Sequence, residues 1–266
     1  MSFAQSCSLA SSSKGNSIFL RSGDTRILID AGISCARIES SLTGLGERPE
    51  DLNAILVTHE HSDHVSGLLV FARRYNLPVY LSEGSYRALL EKKRAYEQLS
   101  FHIVEASRSY ALGNLSFRPF RLSHDAAEPF GYRIDTGHGS LSVLTDCGEV
   151  SSELFDLIKG SKRIYLESNY DPEMLHGGRY SWALKKRIEG KRGHLSNFDA
   201  AALLIALVES GTERIQLSHL SEENNRPELA YTCSASSAKL HGICLERDLK
   251  LTVSPAHRPS LLEDIC

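Results

Sequence analysis

The chain has 266 residues, of which 41% are hydrophobic, and its formal net charge is −3 at pH 7. A chain of this length can bury a sizeable core, and this hydrophobic fraction is ordinary for a globular protein, so intrinsic disorder is excluded as its main state. The slightly acidic charge provides no global attraction to polyanions, so a nucleic acid would have to bind at a local basic patch.

No apolar run in the sequence approaches the roughly 20 residues that a membrane-spanning helix needs. The first residues, MSFAQSCSLA, also lack the positively charged and apolar segments of a secretory leader. We therefore expect a cytoplasmic protein that has no membrane partner.

The first part of the chain alternates short apolar runs with turn residues and helical patterns. A β-hairpin is predicted early, because two apolar runs flank the turn triplet Ser22-Gly23-Asp24. The elements expected here are a loop over residues 8–16, strands over 17–21, 25–30 and 54–58, a helix over 65–75, a strand over 78–81 and a helix over 85–98.

The remainder is rich in predicted strands. One helix is expected over residues 196–210, because Ser196 and Asp199 have the spacing of a capping box and Gly211 follows the last turn. The strands expected are 101–104, 115–122, 131–134, 141–144, 164–166, 215–217 and 249–253. No repeat or Pro/Gly/Ser linker divides the chain, so residues 1–266 are predicted to form one domain with two packed sheets and helices outside.

The segment Val57–Gly67, VTHEHSDHVSG, concentrates potential metal ligands. His59, His61, Asp63 and His64 lie within six residues, directly after an apolar strand. Imidazole nitrogens and carboxylates are the ligands that zinc prefers, and iron and manganese accept them less selectively. A metal site is the main prediction, although some histidine-rich tracts are only polar loops.

Four further candidate ligands also follow apolar runs that are predicted strands, so they would share one edge of the sheets. A single His or Asp after a strand is more often a surface or capping residue, but these accompany the HxHxDH motif. They are Asp30, His124, Asp146 and His219.

This ordered set resembles the motifs of the metallo-β-lactamase superfamily, and the resemblance covers most of the chain. It implies an α/β fold, a four-layer αββα sandwich. It also implies two metal ions joined by a bridging aspartate, with one further aspartate that orients a ligand loop. The residues that match are His59, His61 and His124 for one metal, Asp63, His64 and His219 for the second, Asp146 as the bridge and Asp30 behind the ligands.

The implied chemistry is metal-assisted hydrolysis. Three protein ligands per metal and a shared carboxylate leave positions open for water. Two metals about 3.5–4 Å apart would lower the pKa of that water toward 7 and hold a bridging hydroxide as the nucleophile. Zinc is favoured, because the flavodiiron branch of the superfamily has glutamate where His61 stands, while manganese and iron remain possible.

Glu167 and His194 are predicted to assist catalysis, together with Asp63. They match a glutamate and a Gly-His-Ser-type motif that assist the leaving group in RNase Z-like phosphodiesterases. His194 precedes a capped helix, where an anionic oxygen is favoured, so it could protonate a departing alkoxide while Glu167 holds its tautomer. The alternative is that the two residues are a structural pair that ties a loop to the sheet.

Three segments together resemble the YycJ/WalJ-like branch of the superfamily. They are the loop over residues 8–16, the GHLSN motif at 193–197 and the sequence HLSEENNRPE at 219–228. Members of that branch are associated with 5′-to-3′ exonuclease activity on DNA and with mismatch repair in bacteria, so the resemblance implies this activity. The first loop differs from the branch at Ser12, where a glycine is common.

The implied partner is a nucleic acid, DNA rather than RNA, and no protein partner is indicated. A basic run at residues 185–192 could follow the phosphate backbone, although a solvated helix face explains such a run equally well. The candidates for substrate contact are Lys14, Asn16, Ser196, Asn197, Lys191 and Arg192.

Two alternative functions remain open. The first is hydrolysis of a small phosphodiester, a thioester or a lactone by the same fold. A glyoxalase-type thioesterase is disfavoured, because only a short segment follows His219. The second is a non-catalytic regulatory protein, which the complete ligand set disfavours.

Overall fold

Residues 4–266 are described by a computed structural model. Residues 1–3, the start of the segment MSFAQSCSLA that lacks the pattern of a secretory leader, lie outside the described residues. The described strands form two seven-stranded sheets that pack face to face, with helices on both outer surfaces. The predicted α/β fold, an αββα sandwich, is confirmed.

The first sheet is built mainly from the amino-terminal part of the chain. Its strands are β1 (Gln5–Ala10), β2 (Ser17–Ser22), β3 (Thr25–Ile29), β4 (Ala54–Leu56), β5 (Val79–Leu81), β6 (Phe101–Ile103) and β14 (Glu263–Asp264). They are ordered β14-β1-β2-β3-β4-β5-β6. Pairing is antiparallel from β14 to β3 and parallel from β3 to β6.

The second sheet mirrors this organisation. Its strands are β7 (Tyr110–Leu112), β8 (Leu115–Arg121), β9 (Phe130–Asp135), β10 (Ser140–Leu144), β11 (Arg163–Glu167), β12 (Arg214–Ser218) and β13 (Lys250–Val253). They are ordered β13-β12-β11-β10-β9-β8-β7. Pairing is antiparallel from β7 to β10 and parallel from β10 to β13.

The helices lie between the strands along the chain. They are α1 (Cys35–Gly44), α2 (Ser62–Val65), α3 (Leu68–Tyr75), α4 (Glu83–Lys92), α5 (Ser152–Ile158), α6 (Pro172–Gly177), α7 (Trp182–Glu189), α8 (Asn197–Glu209) and α9 (Pro227–Leu240), with 3-10 helices at Pro49–Asp51 and Arg94–Gln98. None of the helices within residues 4–266 combines the length and the apolar character needed to cross a bilayer.

The sheets are apolar on both faces because each face has its own packing partner. In β2, Leu20 points between the two sheets, while its neighbour Phe19 points to the outer layer that contains Ile38 of α1. On the other side of the molecule, Leu166 of β11 packs in the layer that includes Leu204 of α8. Side chains alternate between the faces of a strand, so a strand covered on both faces reads as a continuous apolar run.

Several predicted elements were wrong in extent. The loop expected over residues 8–16 begins as strand β1, so the hairpin is not the first element. Strand β1 pairs with β2 and with the distant β14. Because β14 lies at the other end of the chain, the sequence around β1 does not indicate this pairing. The helix expected over 85–98 ends at Lys92, because Lys93 is extended with φ −160°. The pattern also failed to predict β7, α1, α5, α7 and α9.

Candidate metal centre and its cleft

The ligand candidates lie at one edge of the sandwich, just beyond the carboxyl ends of strands. Asp30 follows β3 and the HxHxDH motif follows β4, which are parallel neighbours. In the second sheet, Asp146 follows β10 and His219 follows β12. His124 follows β8, which runs in the direction of β10 because both are antiparallel to β9. The parallel strands therefore deliver all of these side chains to the same edge.

Three of these residues have an unusual backbone. Asp30, Asp146 and His219 have φ angles of 62°, 60° and 56°. This left-handed conformation costs non-glycine residues on the order of 1–3 kcal/mol each and is concentrated at functional sites. The surroundings hold it in place, since Asp30 N donates to Leu56 O at 2.8 Å and His219 N donates to Ser11 Oγ at 2.8 Å.

A first cluster of donors consists of His59, His61 and His124. One ring nitrogen of each lies within 4.8 Å of the others. The Nδ1 of His124 faces Gly193 O at 3.1 Å, which leaves its Nε2 for the cluster. The Nε2 of His59 is buried and has no hydrogen-bond partner among the described residues. A buried nitrogen of this kind is satisfied when it binds a metal ion.

A second cluster consists of Asp63, His64, Asp146 and His219. Asp63 Oδ2 lies 3.2 Å from His64 Nε2 and 3.3 Å from His219 Nε2. Asp146 lies between the clusters, because its Oδ1 is 3.4 Å from His219 Nε2 and 3.6 Å from His124 Nε2. Its Oδ2 has no hydrogen-bond partner among residues 4–266, although His64 Nε2 is 3.1 Å away.

The electrostatics of the second cluster favour cations. Burial would raise the pKa of Asp146, but His219 and His64 hold it well below its usual range. Burial would lower the pKa of His64, but the carboxylates of Asp63 and Asp146 raise it well above its usual value. The ionised carboxylates therefore require positive charge beside them. Divalent ions on the same nitrogens would balance that charge in place of protons, so this donor set fits metal ions.

The first cluster differs in charge. Burial lowers the pKa of His59 well below its usual value and also lowers the pKa of His61. Neutral imidazoles are the form of histidine that binds metals. His59 and His61 thus offer neutral nitrogen donors, and the second cluster offers nitrogen and oxygen donors whose negative charge divalent ions would balance.

Asp30 lies behind His64 and not in the cleft. Its Oδ2 is 2.7 Å from His64 Nδ1, while Thr58 donates its backbone N–H and its hydroxyl to the two carboxylate oxygens at 2.8 Å each. The carboxylate thereby holds the proton of His64 on Nδ1 and turns Nε2 toward the second cluster. Carboxylate–histidine pairs of this kind orient metal ligands.

Glu167 is fully buried and joins two histidines. Its Oε1 lies 2.8 Å from Nδ1 of His194 and 2.9 Å from Nδ1 of His219. Its Oε2 accepts from the backbone N–H groups of Cys147 at 2.8 Å and Leu195 at 3.3 Å. Burial would raise the pKa of Glu167, but His194 and His219 lower it. The ionised carboxylate therefore holds both rings with Nε2 turned away from it.

Three of the predicted substrate contacts are buried residues with protein partners. Asn16 Nδ2 lies 3.2 Å from both Asp63 Oδ2 and His64 Nε2. Ser196 is the N-cap of α8, and its side chain accepts from Asp199 N in the predicted capping box. The Asn197 amide bonds Asn225 and Ser168 in an enclosed network. The side chains of Ser196 and Asn197 are thus occupied in holding the GHLSN loop.

The other three predicted contacts are basic. Lys14 and Lys191 are exposed and form ion pairs with Glu222 and Glu149. Arg192 donates from Nε to His124 O at 3.1 Å, so it braces the backbone of a ligand. Within the basic run at 185–192, Lys185 is buried, while Lys186, Arg187, Lys191 and Arg192 are exposed.

Two residues that contact the ligand candidates were not among the predicted site residues. Asn169 donates from Nδ2 to His219 O at 2.8 Å, and it lies two residues after Glu167. Asp125 directly follows His124, and its Oδ1 is 3.4 Å from His124 Nε2. Adjacency to motif residues is the only sequence signal that could have identified them.

The clusters open into a cleft of about 220 Å³. One side of the cleft carries the polar residues His61, Asp63, His124, Asp146, His194 and His219. A second part of the lining comes from α7 and the residues before it and includes Tyr180, Leu184, Arg187 and Ile188. The sequence reasoning did not predict this second part.

Comparison with known proteins agrees with the observed fold. A family model described as a beta-lactamase superfamily domain matches residues 25–220, which include every ligand candidate. Exodeoxyribonuclease WalJ of Streptococcus pneumoniae is 40% identical over 225 residues, and the match covers 84% of each chain. Exodeoxyribonuclease YycJ of Bacillus anthracis is 39% identical over 225 residues, again 84% of each chain.

A solved structure shows the same architecture. The metallo-β-lactamase fold protein YhfI from Bacillus subtilis superimposes with a TM-score of 0.73, covering 97% of this chain and 99% of that chain. The sequence identity is 14%, so the likeness concerns the fold alone.

Proposed function

The chain belongs to the metallo-β-lactamase superfamily, and from this premise we propose that it is a metal-dependent exodeoxyribonuclease that degrades DNA from the 5′ end. We include in the proposal two zinc ions as the native metals, with manganese or iron as substitutes, and a role in DNA repair. Support for the polarity and the repair role comes from the resemblance of the loop, GHLSN and SEENNRPE segments to the YycJ/WalJ-like branch.

The main support for the proposal is the pair of donor clusters with Asp146 between them, in a chain aligned over 84% of its length with exodeoxyribonucleases. His59, His61 and His124 would hold one ion, and Asp63, His64 and His219 the other. The two sheets both contribute donors to each cluster, which supports treating residues 1–266 as one domain.

Two divalent ions, when bound at these residues, would polarise the phosphodiester and make water a stronger nucleophile. The protein contributes the fixed positions of the donors. Asp30 holds the Nδ1 proton of His64, and Glu167 does the same for His219, so neither ring can rotate away from the site.

His194 would protonate the departing sugar oxygen. Its ring lines the cleft, and its Nδ1 is held by Glu167 at 2.8 Å. In the imidazolium form, Nδ1–H stays bonded to Glu167 while the Nε2 proton passes to the oxygen as the P–O bond breaks. The carboxylate of Glu167 keeps the proton on Nδ1 throughout, which fixes the tautomer that remains after the transfer.

The test uses purified full-length protein loaded with zinc. It is incubated with DNA and RNA, single- and double-stranded, carrying a label at the 5′ or the 3′ end. We expect mononucleotides released from the 5′ end of DNA, with much slower release from RNA. Bis(p-nitrophenyl) phosphate serves as a second substrate that reports the metal centre without a polynucleotide.

His61→Ala is the matched variant, because it removes one donor of the first cluster. We expect it to lose zinc and activity on both substrates. If it retains full activity, the assignment of the metal centre is wrong. If the wild type hydrolyses bis(p-nitrophenyl) phosphate but no DNA, the centre stands and the exodeoxyribonuclease proposal fails.

A further inference from the structure

Apart from Arg187, the part of the cleft lining that α7 and Tyr180 provide, here called the apolar wall, is aromatic and aliphatic. Tyr180, Leu184 and Ile188 line it and are half-buried. Leu184 and Ile188 are four residues apart on α7, so they lie on one face of that helix. The cleft therefore has a polar side suited to a phosphate group and an aromatic and aliphatic side suited to a flat apolar group.

This wall is held in place at several points. Lys185 of α7 is buried, and its Nζ donates to His176 O at 2.6 Å and to Gly178 O at 2.8 Å. Arg187 forms an ion pair with Asp125, the residue after the ligand candidate His124. These contacts fix α7 relative to the metal centre, so the width of the cleft is set by the fold.

The end of α7 also packs directly on the loop that carries His194. His194 N donates to Ile188 O at 2.9 Å. A Cβ atom at Gly193 would lie 2.0 Å from the same carbonyl oxygen, so only glycine permits this approach. The apolar wall and the proposed general acid are thereby parts of one unit.

The size of the cleft limits what it can hold. Its volume of about 220 Å³ is below the 300–1,000 Å³ typical of pockets for drug-sized ligands. Such a space is too small to enclose a base pair, so a strand end would enter unpaired.

We infer that Tyr180, Leu184 and Ile188 bind the base of the terminal nucleotide, with the Tyr180 ring as the stacking surface, while its phosphodiester lies at the metal centre. The inference rests on the proposed nuclease function and adds to it a sequence-tolerant site for one unpaired base. Stacking suits an exonuclease because every base has an aromatic face, so each successive nucleotide can be accepted.

The first experiment measures binding and needs no turnover. Zinc-loaded protein is titrated with 2′-deoxyadenosine 5′-monophosphate and with 2-deoxyribose 5-phosphate, which lacks the base, in a calorimeter. We expect the wild type to bind the nucleotide on the order of 10-fold more tightly. Tyr180→Ala should lose most of this preference, and Tyr180→Phe should keep it because the ring remains.

Trp182→Ala is the matched control. Trp182 is an aromatic residue of the same helix, 67% exposed, but it does not line the cleft, and its ring packs under Lys186 Nζ at 4.7 Å from the centroid. We expect its preference for the nucleotide to equal that of the wild type. Leu184→Ala is a second variant of the wall, for use if Tyr180→Ala does not fold.

The second experiment uses 5′-labelled single-stranded DNA with a normal or an abasic terminal nucleotide. Tyr180→Ala should raise KM for the normal strand on the order of 10-fold, leave the abasic strand unchanged and leave kcat close to that of the wild type. No preference for the base in the wild type, or a full preference in Tyr180→Ala, overturns the inference. If the wild type prefers the nucleotide but degrades no DNA, the base site stands and the nuclease proposal fails. If it degrades DNA but shows no preference for the base, the nuclease proposal stands and the base site is wrong.

Discussion

The two walls of the cleft are built in different ways. The polar wall consists of side chains at the ends of buried strands, and its ligand candidates His64 and His219 each have a buried carboxylate behind them. The apolar wall lies on α7, a helix with several exposed residues, and it is held by the contacts of Lys185 and the Arg187–Asp125 pair.

This difference suggests that the polar wall serves bond cleavage and the apolar wall serves substrate binding. Bond cleavage needs donors that stay within a fraction of an ångström of the productive geometry, and buried strand ends with further hydrogen bonds meet that need. Contact with a base has a different requirement, because stacking must accept each of the bases in turn. Changes in the polar wall should therefore lower kcat or metal affinity, while changes in the apolar wall should alter KM.

The largest effect is expected from His194→Ala, on the polar wall. Phosphodiester cleavage should slow by roughly 10²–10⁴-fold, the range for a general acid, while zinc content stays unchanged. Turnover on DNA and metal content by elemental analysis are measured together. His241→Ala, an exposed histidine at the end of α9, is the control and should behave like the wild type. Loss of zinc in His194→Ala would make His194 a ligand instead.

A smaller effect is expected from Asp30→Asn, behind the polar wall. The amide cannot balance the charge of His64 as the carboxylate does, so zinc affinity should fall about 10–100-fold. The measurement is competition for zinc against a chelator of known affinity. Asp24→Asn, in the exposed turn between β2 and β3, is the matched control. Unchanged zinc affinity in Asp30→Asn would show that this bond does not support the metal centre.

The smallest effect is expected from Arg187→Gln, which releases the apolar wall from Asp125. Because an exposed ion pair contributes little, KM for single-stranded DNA should rise only about two- to five-fold, with kcat and zinc content unchanged. Steady-state kinetics separate the two constants. Arg247→Gln breaks the exposed pair with Asp248 after α9 and serves as control. A fall in kcat with unchanged KM would contradict the division between the walls.

Much of the polar wall was predictable from the sequence. The HxHxDH motif can be recognised without knowledge of the fold, because its ligand candidates His59, His61, Asp63 and His64 are close together in the chain. The distant candidates were predicted because each follows an apolar run, and parallel strands end at a common edge. The structure brings all seven predicted ligands together in two clusters.

The supporting contacts were harder to predict. Asn16 and Asn197 were expected to face the substrate, yet Asn16 contacts Asp63 and His64, and Asn197 bonds Asn225 in the interior. A glycine- or asparagine-rich motif indicates a loop with a constrained conformation. It does not indicate whether an asparagine side chain faces the cleft or the protein interior. Burial decides that, and burial depends on segments distant in the chain.

Residue types and their order were enough to predict two packed sheets and the metal-ligand candidates, while the αββα class and the pair Glu167 and His194 were predicted from the resemblance to the superfamily. The pairing of β1 with β14 and the position of Tyr180, Leu184 and Ile188 in the cleft lining are features of the folded chain that the sequence did not predict. Both depend on contacts between segments far apart in the chain, and a local sequence pattern does not indicate which distant segment it will contact.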